Sequence, residues 1–220
     1  MMPSQSTMAK PKIVLWGASP TGQGLVVLDA LLASGEYDVA GFIDDNPRRK
    51  GALLHGVPVL GGRSELRALA ASGLGLFFPA VGDNALRLKM LDEAREAGLS
   101  AAVVVHPAAC VSPLAQIGEG AFIAAGAVIA PGAQIGAAAI VNTCASIDHN
   151  CVLERGSNVC PGAHLAGRVK LGEGAFVGTG ASVIPDIVIG AWAVVGAGAC
   201  VIADVPDGAT VVGVPAVEKT

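Results

Sequence analysis

Aromatic residues make up only 4% of this 220-residue chain, although 52% of its residues are hydrophobic. A core with so few rings must be filled by small aliphatic side chains. Charge is scarce as well: 15% of residues are charged, the net charge is −4, and neither sign forms a long run. That excludes an extended basic surface for nucleic acid and a charged interaction tail. No uninterrupted apolar stretch of about 18 residues occurs, so no membrane insertion is expected. The cysteines (Cys110, Cys144, Cys151, Cys160, Cys200) are odd in number and lack C-x-x-C spacing, which predicts reduced thiols and a cytoplasmic setting. Histidine is confined to His55, His106, His149 and His164, and no third histidine is placed to complete a metal site, so no metal is expected. Residues 1–11 are polar, lack an apolar segment, and read as a leader without fixed structure.

Against these absences stands one strong regularity. From Val111 to Val201 every sixth residue is Val, Ile or Leu without a break, and four residues after each comes a second, mostly small or apolar residue. Neither an α-helix, with about 3.6 residues per turn, nor an ordinary strand sustains a period of six. A hexapeptide period predicts a parallel β-helix in which three hexads close a coil of about 18 residues. Residues 107–220 are assigned to it.

Residues 12–106 read differently. Apolar runs at 12–17, 37–43, 57–60, 76–81 and 101–105 alternate with helical segments at 25–34, 64–69 (Ser64 as N-cap) and 84–97. That pattern predicts a Rossmann-like α/β domain with a parallel sheet. Its first turn carries Gly17, Ser19, Gly22, Gln23 and Gly24, where backbone N–H groups can approach a phosphate at a helix N-terminus. Asp44 and Asp45 follow after about 20 residues, where an acidic side chain meets a ribose or base edge. With one short sheet, a mononucleotide or nucleotide-sugar fits better than a dinucleotide. The alternative reading is ordinary turn glycines and an acidic strand end.

Within the β-helix, polar side chains are few and must point outward. A coil of about 18 residues stacks His149 between Pro131 and Gly167 at about 4.8 Å spacing, and glycine there leaves room for a ligand beside the imidazole. The same arithmetic stacks His164 between Ser146 and Ser182. Gly178, Gly180, Gly196 and Gly198 would permit close approach by a ligand or a neighbouring chain.

The combination of the glycine turn, Phe42-Ile43-Asp44-Asp45, Ala80-Val81-Gly82-Asp83-Asn84, Val141-Asn142-Thr143, Asp148-His149 and Gly213-Val214-Pro215-Ala216 resembles the bacterial sialic-acid O-acetyltransferase type of sugar acetyltransferase. It is most similar to the branch that N-acetylates nucleotide-linked amino sugars of the bacillosamine and perosamine kind. The resemblance implies a left-handed β-helix, a homotrimer, and acetyl-CoA between neighbouring β-helices. It implies catalytic roles for His149, Asn150 and Asn142, and sugar-nucleotide contacts from Gly17, Ser19, Gly22, Gln23, Gly24, Asp44, Asp45, Asn84 and Asn158. Acetyl-CoA contacts would come from His164, Gly167, Gly178, Gly196, Gly213 and Pro215. The expected reaction is N-acetylation of a nucleotide-linked 4-amino-4-deoxy sugar, in which an imidazole can accept the amine's proton. Surface glycan (lipopolysaccharide O-antigen) synthesis would be its setting. O-acetylation of a sugar hydroxyl, as in sialic acid, and a non-catalytic scaffold are the alternatives. Three positions depart from the family pattern: relatives often carry histidine where Gln23 and Asn158 stand, and an acid where Asn150 stands.

Overall fold

The computed structural model describes residues 9–219, so most of the expected leader, residues 1–8, lies outside the described residues. The N-terminal unit runs β1 (Lys12–Trp16), α1 (Gln23–Ser34), β2 (Asp38–Ile43), β3 (Leu53–Leu54), β4 (Val57–Gly61), α2 (Leu66–Ala71), β5 (Leu76–Pro79), α3 (Asn84–Glu96) and β6 (Ser100–Ala101). The sheet order is β3-β4-β2-β1-β5-β6, parallel except for the β3–β4 hairpin. Central β1 alternates its side chains across the sheet. Ile13 and Leu15 pack with Val27, Leu28 and Leu31 of α1. Val14 and Trp16 pack with Leu88 and Leu91 of α3. One expectation fails here: Ser64 does not cap α2. The Asp45 carboxylate accepts the Arg63 backbone N–H, and residues Arg63–Glu65 form a 3-10 turn from which α2 starts at Leu66.

The expected strand over 101–105 is divided between the two units. Ala102 still donates its N–H to the Phe77 carbonyl of β5, but Val104 donates to Ala121. Strand β7 (Val104–Val105) therefore pairs with Phe122–Ile123, and the solenoid begins before His106.

From there the chain repeats two-residue strands. Phe122 pairs with Ile140, Ile140 with Asn158, and Asn158 with Phe176, each 18 residues further on. Three stacked sheets result, the arrangement of a left-handed parallel β-helix. A first face carries Phe122, Ile140, Asn158 and Phe176. A second carries Val128, Ser146, His164 and Ser182, and a third carries Gln134, Val152, Lys170 and Val188. The sixth-residue aliphatics and their small companions fill the interior. What turns the chain is a left-handed residue at every sixth position from Gly120 to Gly198. Eight of these corners are glycine; Ala138, Cys144, Asn150, Arg168, Asp186 and Trp192 adopt the same positive φ with a side chain.

One interior position breaks the apolar rule. Ser157 is fully buried in the column between Ala139 and Ala175, and its hydroxyl has no partner among the described residues. An unmade buried hydrogen bond costs about 1–3 kcal/mol. Ser157→Ala should therefore raise the unfolding free energy by about 1 kcal/mol, read from a denaturant midpoint; a lower midpoint would mean that the hydroxyl is satisfied in solution.

Candidate functional site

His149 lies at the corner between the second and third faces, immediately before left-handed Asn150 (φ 57°). Its backbone N–H donates to the Asp148 carboxylate at 2.6 Å, and its ring is solvent-exposed. The imidazole packs against Gly167, where an added Cβ would stand 2.5 Å from Nε2. The expectation that Gly167 keeps space for a ligand is corrected: the ring itself fills that space. Asn150 Nδ2 is 3.2 Å from His149 Nδ1, with the rest of its amide over Gly132. An amide nitrogen there makes Nδ1 an acceptor and puts the neutral ring's proton on Nε2; rotating the amide reverses both roles.

Two charges that sequence reading passed over stand on the same corner. Arg168 donates through Nε and Nη2 to Asp186 at 2.5 and 2.7 Å. This hydrogen bonding holds the Asp186 carboxyl below its ordinary range, with a smaller contribution from His149. His149 thus has carboxylates from its own turn and from two coils on, although residue 150 is an amide. Nothing in residue spacing alone marks Asp186, because the contact runs between coils.

Beside this corner the second face is hollowed into a groove of about 570 Å³, with Val128, Ala130, Ala166 and Ile184 as apolar walls and Ser146, Asp148 and His164 as polar groups. His164 Nδ1 is 2.8 Å from Ser146 Oγ, which orients the ring at the groove surface. Gly167→Ala tests how closely ring and coil are fitted. The methyl group meets the free end of a side chain, so stability should change by less than about 1 kcal/mol while the imidazole is displaced. We expect kcat to fall about tenfold or more with melting almost unchanged; normal kcat would show that ring placement is immaterial.

The glycine turn forms a second centre. Gly17 takes φ +122° and packs so tightly that an added Cβ would sit 2.7 Å from the Ala80 carbonyl oxygen. Gly24 stacks directly on the Gly17 carbonyl, and α1 begins at Gly22 without a side-chain cap, so its first N–H groups are left for a ligand. Ser19 lies against Gly22, and Gln23 keeps a buried Nε2 without a partner. The acidic pair is placed as expected but is already engaged. Asp44 accepts from the Ala18 N–H at 2.9 Å and from Arg49 at 2.6 Å, which makes it a tie across the turn. Asp45 binds Arg63 through both the backbone and the guanidinium, and that hydrogen bonding holds its carboxyl below the ordinary range. Each carboxylate is thus held in place by the protein and keeps only part of its acceptor capacity.

The solenoid's first face closes against this centre. Asn158 is 5% exposed, its Nδ2 reaches the Gly82 carbonyl at 3.5 Å, and its Oδ1 has no partner. Asn142 turns its Oδ1 to the Thr143 N–H at 2.8 Å. Asn84 is half-buried and has a structural role, accepting from Arg87 and donating to the Gly174 carbonyl. Arg87 was missed. It is wholly buried and donates to the carbonyls of Val81, Gly82, Ala138, Gly156 and Ser157 as well as to Asn84. Burial lowers its pKa to about 10, which leaves it charged at neutral pH. Cys160 is buried too, and desolvation pushes its thiol up to about 11, far from a reactive thiolate.

The remaining glycines have other reasons. At Gly178 a Cβ would meet the Ala197 backbone N at 2.6 Å, and at Gly196 it would meet the Val212 side chain at 2.7 Å, so close coil stacking accounts for glycine at both positions. Gly180 and Gly198 open on empty space at left-handed corners. Gly213 (φ +97°) and Pro215 lie in the last turn, distant in the fold from His149. The two centres are themselves separate. The glycine turn, Gly82 and Asn158 meet on the first face, whereas His149 occupies the opposite vertex of the same coil.

Known proteins resemble this chain over nearly its whole length. Residues 12–94 match the PglD N-terminal domain. PerB from Caulobacter crescentus, solved with CoA and GDP-perosamine, is 43% identical with a TM-score of 0.90 over 96% of this chain and 99% of that one. The acetyltransferase domain of PglB from Neisseria gonorrhoeae, solved with acetyl coenzyme A, is 35% identical with a TM-score of 0.87 over 96% and 100%. WeeI from Acinetobacter baumannii is 27% identical with a TM-score of 0.83 over 94% and 99%.

Proposed function

The chain belongs to the hexapeptide-repeat sugar acetyltransferase family that includes these enzymes, and we propose that it moves an acetyl group from acetyl-CoA to the amine of a nucleotide-linked 4-amino-4-deoxy sugar. The observation that carries this reading is the coexistence of an uncapped glycine turn with a groove beside His149. The first suits a nucleotide phosphate, and the second, apolar with polar groups at its surface, suits a pantetheine arm. PerB at 43% identity binds a GDP-linked sugar, which favours that nucleotide here.

The chemistry is acyl transfer. The neutral amine attacks the thioester carbonyl, the C–S bond breaks, and the amine's proton ends on the CoA thiol. His149 either relays that proton or donates from Nε2 to the developing oxyanion, according to how the Asn150 amide is turned. Holding amine and thioester together supplies much of the acceleration.

The separation of the centres supports a homotrimer. With faces of about six residues, His149 stands roughly 15 Å across the solenoid from the first face, too far for its own chain's glycine turn to deliver a sugar. Packing copies side by side would set one chain's His149 and groove against its neighbour's first face. The product, an N-acetylated nucleotide sugar, is a substrate for glycosyl transfer, and we place the reaction in the cytoplasm, in lipopolysaccharide O-antigen or related surface glycan synthesis. No helix among the described residues is long and apolar enough to cross a membrane.

The test is thiol release from acetyl-CoA with GDP-perosamine, a UDP-linked 4-amino sugar and GDP-mannose as acceptors. Turnover is expected with the amino sugars, fastest with GDP-perosamine. Equal turnover with GDP-mannose would turn the assignment to O-acetylation, and none with any acceptor would remove it.

A further inference from the structure

We infer that Arg87, with Asn84, is a positioning pair that locks the nucleotide-binding turn to a fixed height on the β-helix, an inference that rests on the reading of that turn given above. The pair does so by gripping one column of backbone carbonyls. Arg87 Nε donates to Ala138 O at 2.6 Å, and Arg87 Nη2 donates to Gly156 O at 2.9 Å. Asn84 Nδ2 donates to Gly174 O at 3.0 Å. These acceptors are 18 residues apart, one in each of three successive coils, and all three occupy left-handed corners. The first turn of α3 therefore bonds three coils at once along the solenoid axis.

The other end of the same guanidinium holds the loop before α3. Arg87 Nη1 donates to Gly82 O at 3.1 Å and Val81 O at 3.3 Å, and Ala80 and Val81 are the residues against which Gly17 is pressed. A continuous line of contacts thus runs from the corner carbonyls through Arg87 to the glycine turn. Among the described residues no carboxylate bonds Arg87; its hydrogen bonds go to neutral carbonyls and the Asn84 amide, and Asp83 contributes only an unbonded charge nearby. Burying a cation in that way is costly. A methionine or leucine would pack the seam without that cost but would fix no height, because hydrophobic contact is non-directional. Directional hydrogen bonds to three coils supply what packing cannot. Sugar and thioester come from different centres, and a misplacement of about 1 Å costs on the order of 10²-fold in rate.

The experiment compares the full-length chain with Arg87→Met, Arg87→Lys and Asn84→Ala in two ways. Amide hydrogen exchange without substrates should accelerate about tenfold or more in residues 17–24 and 80–84 of Arg87→Met, while the solenoid strands stay protected. In steady-state assays kcat/KM for GDP-perosamine should fall about 10²-fold with the Kd for CoA within about twofold of the parent. Arg87→Lys should recover part of both effects, because an ammonium can reach one or two of the carbonyls. Should Arg87→Met fail to fold, Asn84→Ala, which removes the Gly174 contact alone from the column, should show both changes in smaller measure. Unchanged exchange at the turn, or parallel loss of CoA and nucleotide-sugar binding, would overturn the positioning role. The exchange measurement needs no substrate, so absent turnover in the parent would reject the assigned activity without deciding this inference.

Discussion

Replacing His149 with alanine is expected to lower kcat by about 10²-fold while the protein remains folded and still binds CoA. The ring is exposed and rests on Gly167, so its removal leaves no cavity in the interior column. What disappears is a proton acceptor or donor at the edge of the groove. The pH–rate profile separates the two roles. If neutral His149 accepts the proton, the parent loses rate as the ring is protonated, and the mutant lacks that acidic limb. A limb shared by both proteins belongs to the substrate amine instead. Asn150→Asp sharpens the comparison, because a carboxylate beside Nδ1 fixes that nitrogen as donor and Nε2 as acceptor. It also favours the protonated ring. With His149 as base, kcat should rise and the acidic limb move to higher pH. An undiminished kcat in His149→Ala would leave positioning as the whole of catalysis.

Gly24→Ala is the largest effect expected on the other centre. A Cβ on Gly24 would run into the Gly17 carbonyl oxygen, and both partners are backbone held by the sheet and by α1. Overpacking of this sort costs about 1–3 kcal/mol, and here it also pushes the start of α1 away from β1. The N–H groups left for a phosphate move with it. KM for the nucleotide sugar should rise about tenfold or more, whereas the Kd for CoA should hold, since the groove lies on a different face of the solenoid. Calorimetric titrations with GDP and CoA check both halves. GDP binding equal to that of the parent would mean that the glycine turn is not the nucleotide site.

The β-helix was legible because its rule is local: one aliphatic residue in six, with a small companion four later, names the inward positions directly. The glycine turn was equally visible, since Gly17 and Gly24 are glycine for close backbone approach, which leaves a mark on composition. The left-handed corners were harder to see. Where the residue is Ala138, Arg168 or Trp192, its type argues against the conformation that coil closure imposes. Arg87 was invisible for a different reason. Its partners are almost all backbone carbonyls, which any residue supplies, so no spacing of side chains marks them. Asp44 and Asp45 were visible as an acidic pair at the strand end, yet the bonds to Ala18 and Arg63 that engage them depend on how loops far apart in sequence meet. The strand over 101–105 was divided because its hydrogen bonds pass from β5 to the solenoid at Ala102 and Val104, a transfer with no signature in hydrophobicity.

Mixing two impaired variants tests most directly whether the site is assembled from two chains. His149→Ala keeps an intact glycine turn, and Gly24→Ala keeps an intact His149 and groove. Co-expressed in equal amounts, they should form mixed trimers in which about a quarter of the sites combine the intact half of each chain. Thiol release at GDP-perosamine concentrations well below KM is then expected at roughly a quarter of the parental rate, from a preparation whose separate components each run at about a tenth of it or less. Mixed trimers no more active than the two variants assayed alone would contradict the account, because turn and histidine would then have to serve the same chain.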